Sequence, residues 1–126
     1  MTRTGRDERG AVTAELALVL PLLLAVTAGL VWFLVVGLGQ VRATDAAREA
    51  ARALARGEDR AIAVDLATRI GPPGSRVAVA EADGLVEVTV TARVDGPGGV
   101  LSALPGADVR ATATAALEPS ATGTVP

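Results

Sequence analysis

No cysteine, histidine, lysine or tyrosine occurs in this sequence. Each absence closes a route. Without cysteine there is neither a disulfide framework nor a thiolate site. Without histidine the usual general base and the commonest metal ligand are missing. All twelve basic residues are arginine, but fourteen acids outnumber them and no basic patch forms in the chain. That balance argues against a nucleic-acid partner. The only aromatics are Trp32 and Phe33, side by side. A water-soluble domain built from the rest has a thin core.

What the sequence does have is one long apolar run. Leu16 to Gly39 is 24 consecutive residues without a charge. As a helix it reaches roughly 36 Å, more than the bilayer hydrocarbon thickness of about 30 Å. The apolar core of a secretory signal is shorter and stops at a small-residue cleavage site. Here Thr27, Ala28 and Gly29 are small, yet Val31 to Leu38 carries the run past them. A retained membrane span is expected, with residues 11–40 as the transmembrane helix. Pro21 lies inside it and deprives the Ala17 carbonyl of its helical donor, so a kink is expected there. Gly29, Gly37 and Gly39 offer small faces to another helix, but ordinary membrane-helix composition is enough to account for them.

Residues 1–10, MTRTGRDERG, are polar and lack apolar periodicity. They read either as a disordered stub or as a short leader peptide. Beyond the span, residues 41–70 read as a helical region in water. Ala43, Ala46, Ala47, Ala50, Ala53 and Leu54 fall on one stripe at helical spacing. Asp45 with Arg48 and Glu49 with Arg52 make i,i+3 pairs on the other side. Gly57 suits a left-handed cap. Glu58 and Asp59 suit the start of a second helix, which carries Ile62, Leu66 and Ile70 at every fourth position. Gly71-Pro72-Pro73-Gly74 then ends helical structure.

Residues 71–117 alternate with period two and predict a small sheet. Asp83-Gly84 is a two-residue hairpin signal. With that turn, Ala82 faces Leu85, Val79 faces Val88 and Val77 faces Val90, all three pairs being assigned to one face. A third strand, residues 108–117, places Val109, Ala111, Ala113, Ala115 and Leu117 together. The tail, residues 118–126, lacks the means to fold. The fold class is therefore α+β: a long N-terminal transmembrane helix extended into water, a second short helix, and a three-stranded antiparallel sheet.

Carboxylates are the only candidate catalytic groups. Glu58, Asp59 and Asp65 have helix-surface spacing and Asp83 serves a turn. Nothing pairs them with a base, a metal-ligand set or a phosphate loop. No catalytic residue, metal site or cofactor site is assigned, and neither an enzymatic role nor a small-molecule substrate is expected.

Glu15 stands apart, because a carboxylate at the lip of a lipid-facing helix is costly and usually functional. Its context is Arg9-Gly10-Ala11-Val12-Thr13-Ala14-Glu15-Leu16. Glu15 is the fifth residue after Gly10. This resembles the processing site of type IV prepilins. With Glu15-Leu16-Ala17-Leu18-Val19-Leu20-Pro21 and Ala50-Ala51-Arg52, the segment from Gly10 to Ala55 looks like the TadE-type minor pilins of tight-adherence (Flp) pilus systems. The resemblance implies a pilin-like fold and a structural role as minor pilin or pseudopilin. It implies cleavage between Gly10 and Ala11 by a membrane prepilin peptidase. It also implies other pilins and pilus platform proteins as partners, with the membrane lipid around the span. In that family the leader faces the cytoplasm, so residues 1–10 are expected inside and residues 41–126 outside. Arg42, Arg48 and Arg52 oppose this orientation by the positive-inside rule. The alternative function is an uncleaved bitopic envelope protein that binds a partner through its external domain.

The physics beside the resemblance is coherent. A new α-amino group on Ala11, with an ordinary pKa of about 8, is largely protonated. The Glu15 carboxylate of one subunit would neutralise the Ala11 amine of its neighbour, and the pair is cheaper in apolar surroundings than either charge alone.

Overall fold

A computed structural model describes residues 5–119 of the chain. Its element order is α1 (Gly5–Ala55), α2 (Arg60–Ile70), β1 (Arg76–Ala82), β2 (Leu85–Val94), a short 3-10 turn (Gly99–Ala103) and β3 (Ala107–Ala116). The α+β architecture is as the sequence indicates. One expectation changes at the start of the chain. Residues 5–10 belong to α1, so the polar stretch is helical from Gly5 and does not form a separate stub. Residues 1–4 and, in the tail expected to be unfolded, residues 120–126 lie outside the described residues.

The C-terminal half of α1 is the centre of the folded head. Its buried apolar side chains are Ala43, Ala46, Ala47, Ala50, Ala51, Ala53 and Leu54. Alanine has no bulk beyond Cβ, so both α2 and the sheet come close to the helix axis. A Schellman motif ends α1: Gly57 has φ +87°, its N–H donates to the Leu54 carbonyl, and the Glu58 N–H donates to Ala53. Asp59 then caps α2, its carboxylate accepting from the Ala61 N–H at 3.3 Å.

The helix α2 returns along α1, and the expected stripe holds for Leu66 and Ile70, which pack against the core, but not for Ile62. Ala63 and Ala67 are fully buried, whereas Ile62 is 58% exposed and Leu66 and Ile70 are half-buried. Two alanines facing the α1 alanines permit a close approach that Ile62 would prevent.

The sheet has order β1-β2-β3, all antiparallel. The hairpin register is as read from the sequence: Ala82 pairs with Leu85, Val79 with Val88 and Val77 with Val90. The turn residues Asp83 and Gly84 have φ of +52° and +73°, the I′ geometry that Asp-Gly favours. One part of that reading is corrected. Ala82 and Leu85 lie on the opposite, exposed face, because residues an odd number of positions apart on a strand point to opposite sides. The inner face is Val86, Val88, Val90 and Ala92 on β2, with Val109 and Ala111 on β3. Val77, Val79, Val94, Ala113, Ala115 and Leu117 pack around it.

Long polar side chains from the helices reach both outer strands. The Gln40 amide donates to the Arg110 carbonyl at 2.8 Å and accepts from the Arg110 N–H at 3.3 Å, as a neighbouring strand would. Arg60 donates to the Val79 carbonyl at 2.8 Å on the far edge. Such cover blunts edges that would otherwise pair with other chains.

Candidate functional site

The residues singled out in the sequence lie on the bare N-terminal half of α1. Gly10, Ala11 and Glu15 are all exposed on one continuous helix. A Cβ on Gly10 would meet nothing within 4 Å. Ala11 and Glu15 are four residues apart, so they share a helix face about 6 Å apart along the axis. The Thr13 hydroxyl donates to the Arg9 carbonyl at 2.8 Å, one turn back. Pro21 is inside α1, with helix on both sides of it.

From Val12 to Leu34 the large apolar side chains other than Trp32 are exposed, including Leu18, Leu22, Leu24, Leu30 and Phe33. This is one helix long and apolar enough to cross a membrane. The end of the apolar run is different. Val36 packs against the core, and Gly39 is buried. A Cβ on Gly39 would lie 2.7 Å from the Val94 side chain, while Gly29 and Gly37 face open space. Gly39 thus admits a strand of its own chain, a partner that helix-directed reading of the glycines missed.

The other expected residues take structural positions. Asp59 is a cap, Asp83 a turn residue, and Asp65 pairs with Arg69 at 2.8 Å on an exposed surface. Glu58 pairs with Arg56 at 2.9 Å. Among the described residues no three Asp or Glu side chains gather as a metal site would require.

Sequence reading also missed an arginine row on the outer face of the sheet. Arg76, Thr91 and Arg110 are cross-strand neighbours on β1, β2 and β3, and Arg93 pairs with Asp108 in the next row. These residues line a shallow open groove with Gly74. The three arginines are 17 residues apart in sequence, and only the strand register brings them together.

The molecule is thus defined as a small α+β head on a helix long and apolar enough to cross a membrane, that one helix serving both as candidate span and as centre of the head. Residues 10–52 are a TadE-like segment, matched by the model of the TadE-like protein family. The resemblance read from Gly10 to Ala55 is borne out there. Over 87 residues the chain is 41% identical to the protein named Apoptosis inhibitor Rv3655c of Mycobacterium tuberculosis. That match covers 69% of this chain and 63% of the relative, so the chain spans less than two thirds of the relative's length. No solved structure matches the chain.

Proposed function

We propose that this protein is a minor pilin or pseudopilin, a structural component of a tight-adherence type IV pilus or of a related secretion system. The carrying observation is the placement of Gly10 and Glu15 at the start of a TadE-like segment that is continuous with a bare apolar helix. In this reading residues 1–10 are a leader, removed by a prepilin peptidase between Gly10 and Ala11. The mature chain stands in the cell membrane as a single-pass protein, its N-terminus at the cytoplasmic face and residues 41–126 outside. From there it enters a surface pilus or its platform, with other pilins and platform proteins as partners. Cleavage requires the first turns of α1 to unwind, since residues 5–10 are helical. Glycine at position 10 lowers the cost of that step.

The spacing on α1 adds a geometric condition. Pairing between the Ala11 amine of one subunit and Glu15 of the next needs neighbours staggered by about 6 Å along the helix axis. Such a stagger is native to a helical assembly.

A second reading is favoured by the identity to the mycobacterial relative, whose name describes an inhibitor of apoptosis. In it the chain is an uncleaved bitopic envelope protein, and its external head binds a partner protein.

N-terminal sequencing of the mature protein separates the two readings. A start at Ala11 supports the pilin, and a start at Met1 or Thr2 supports the uncleaved protein. Gly10→Leu should leave an uncut precursor. Glu15→Ala should be inserted and cut normally but fail to co-purify with pilus or platform components. Normal assembly of Glu15→Ala would refute the pairing and, with it, the pilin reading.

A further inference from the structure

The head meets the apolar helix at one end of the sheet. The hairpin end lies by the end of α1, where the Leu117 N–H donates to the Gly84 carbonyl and the Glu118 N–H to the Ala55 carbonyl. The strand β2 therefore runs from the Ala55 level down to Gly39, where Val94 touches the helix. At that end Val35, Leu38, Gly39 and Arg42 share a groove with Pro72, Pro73, Arg93 and Asp95. Val35 and Leu38 belong to the uncharged run. The strand thus ends within the axial range of the apolar helix rather than above it.

Two observations meet there. The connection from Gly96 to Gly106, GPGGVLSALPG, has no charge. Its 3-10 turn holds Val100 at 91% exposure, with Leu101 and Leu104 only half-covered. A fully exposed valine on a charge-free loop at this level has no protein to cover it among the described residues. Beside the loop stands the arginine row. Arg93 is engaged by Asp108 at 3.3 Å and Asp95 at 3.7 Å. Arg42, Arg76 and Arg110 have no ion-pair partner within 4 Å among the described residues.

We propose that the 96–106 loop and the row Arg76–Arg110 form a second membrane contact, which seats the head on anionic lipid headgroups of the bilayer that α1 spans. The apolar loop enters the headgroup–acyl boundary and the guanidinium groups meet lipid phosphates, which they match in charge and geometry. The inference rests on α1 spanning a bilayer. It does not depend on cleavage, on pilus assembly or on which side of the membrane the head occupies.

The natural lack of cysteine and the single tryptophan make the test direct. Full-length Val100→Cys and Glu87→Cys proteins, each carrying an environment-sensitive fluorophore, are reconstituted in phosphatidylcholine vesicles with or without about 30% phosphatidylglycerol. Doxyl-labelled lipid is the quencher, and Trp32 reports insertion of α1. The expected result is strong quenching at position 100 and little at position 87 when the anionic lipid is present. Loss of each arginine, in Arg76→Gln and Arg110→Gln, should weaken the contact about fivefold. Three outcomes overturn the proposal. In one, position 100 is quenched no more than position 87 while Trp32 is quenched. In another, quenching at position 100 is indifferent to anionic lipid and to the arginine changes. In the third, the probe shifts to an apolar spectrum without lipid quenching, which assigns the loop to a second copy of the chain. Loss of Trp32 quenching would instead fail the spanning of α1 itself, and the inference with it.

Discussion

Gly39→Ala tests the junction between span and head, and its sign is decided by competing terms. In an isolated helix alanine is better than glycine by about 0.8–1.0 kcal/mol. The added Cβ, however, would lie 2.7 Å from Val94 Cγ2 and 3.8 Å from Val109 Cγ1. Valine is stiff at χ1, so Val94 cannot swing aside without strain. Overpacking of this kind costs about 1–3 kcal/mol. The balance is a destabilisation of the head of roughly 1 kcal/mol, about fivefold in an opening equilibrium. Gly29→Ala and Gly37→Ala meet nothing within 4 Å and serve as controls that gain helix propensity alone. Hydrogen exchange of the Val86, Val88 and Val90 amides, in the full chain in detergent, reads the result. Faster exchange is expected in Gly39→Ala than in Gly37→Ala. Adding Val94→Ala to Gly39→Ala should remove most of the overpacking strain, giving a favourable coupling in a double-mutant cycle. Equal protection in the Gly37 and Gly39 variants would refute the close approach of helix and strand.

Val88 is fully buried on the central strand, so Val88→Asp places an unpaired charge against the alanine stripe and should unfold the sheet. Glu87→Gln, exposed on the outer face, should leave circular dichroism and exchange nearly unchanged. Gln40→Leu removes both bonds to Arg110 and should destabilise the β3 edge by about 1–2 kcal/mol, visible as faster exchange of the Arg110 amide. For orientation, single cysteines at Thr4 and Glu87, placed in the uncut Gly10→Leu background so that position 4 is retained, should react with an impermeant reagent on intact cells at position 87 and not at 4. The reverse pattern would invert the proposed topology.

The elements with strong local signals were legible in the sequence. A charge-free run of that length has few soluble uses, and Asp-Gly between alternating strands specifies both turn and register. Gly57 and Asp59 announced the break between the helices through their backbone and capping chemistry. The errors have a shared physical origin. Small residues leave little mark on a pattern built from large apolar ones. Ile62 continues the large apolar stripe yet is exposed, and Ala63 and Ala67 carry the closest contact, flanked by Leu66 and Ile70, because close-packed axes exclude bulk. Gly39 reads as ordinary span composition or a helix contact, and a strand fills it. Ala82 and Leu85 were assigned to the wrong face by a slip of one position, which period two does not forgive. The helical state of residues 5–10 was hidden by their polarity, although they extend a helix that their neighbours sustain. Of the candidate site, the Gly10–Glu15 spacing is a local motif and was readable. The arginine row was not, since it exists only in the register.

One helix carries both halves of this molecule, and there is no hinge between them. Gly39 against Val94 and Gln40 against Arg110 pin the sheet to α1 just where the bare apolar segment ends. The head therefore cannot tumble independently of the span. A tilt of the helix tilts the head by the same angle, and a rotation about the helix axis turns the outer sheet face to a new azimuth. Axial traction on the span would likewise reach the head undamped, as through a bolt rather than a tether. A force applied to the apolar segment therefore moves the whole body at once.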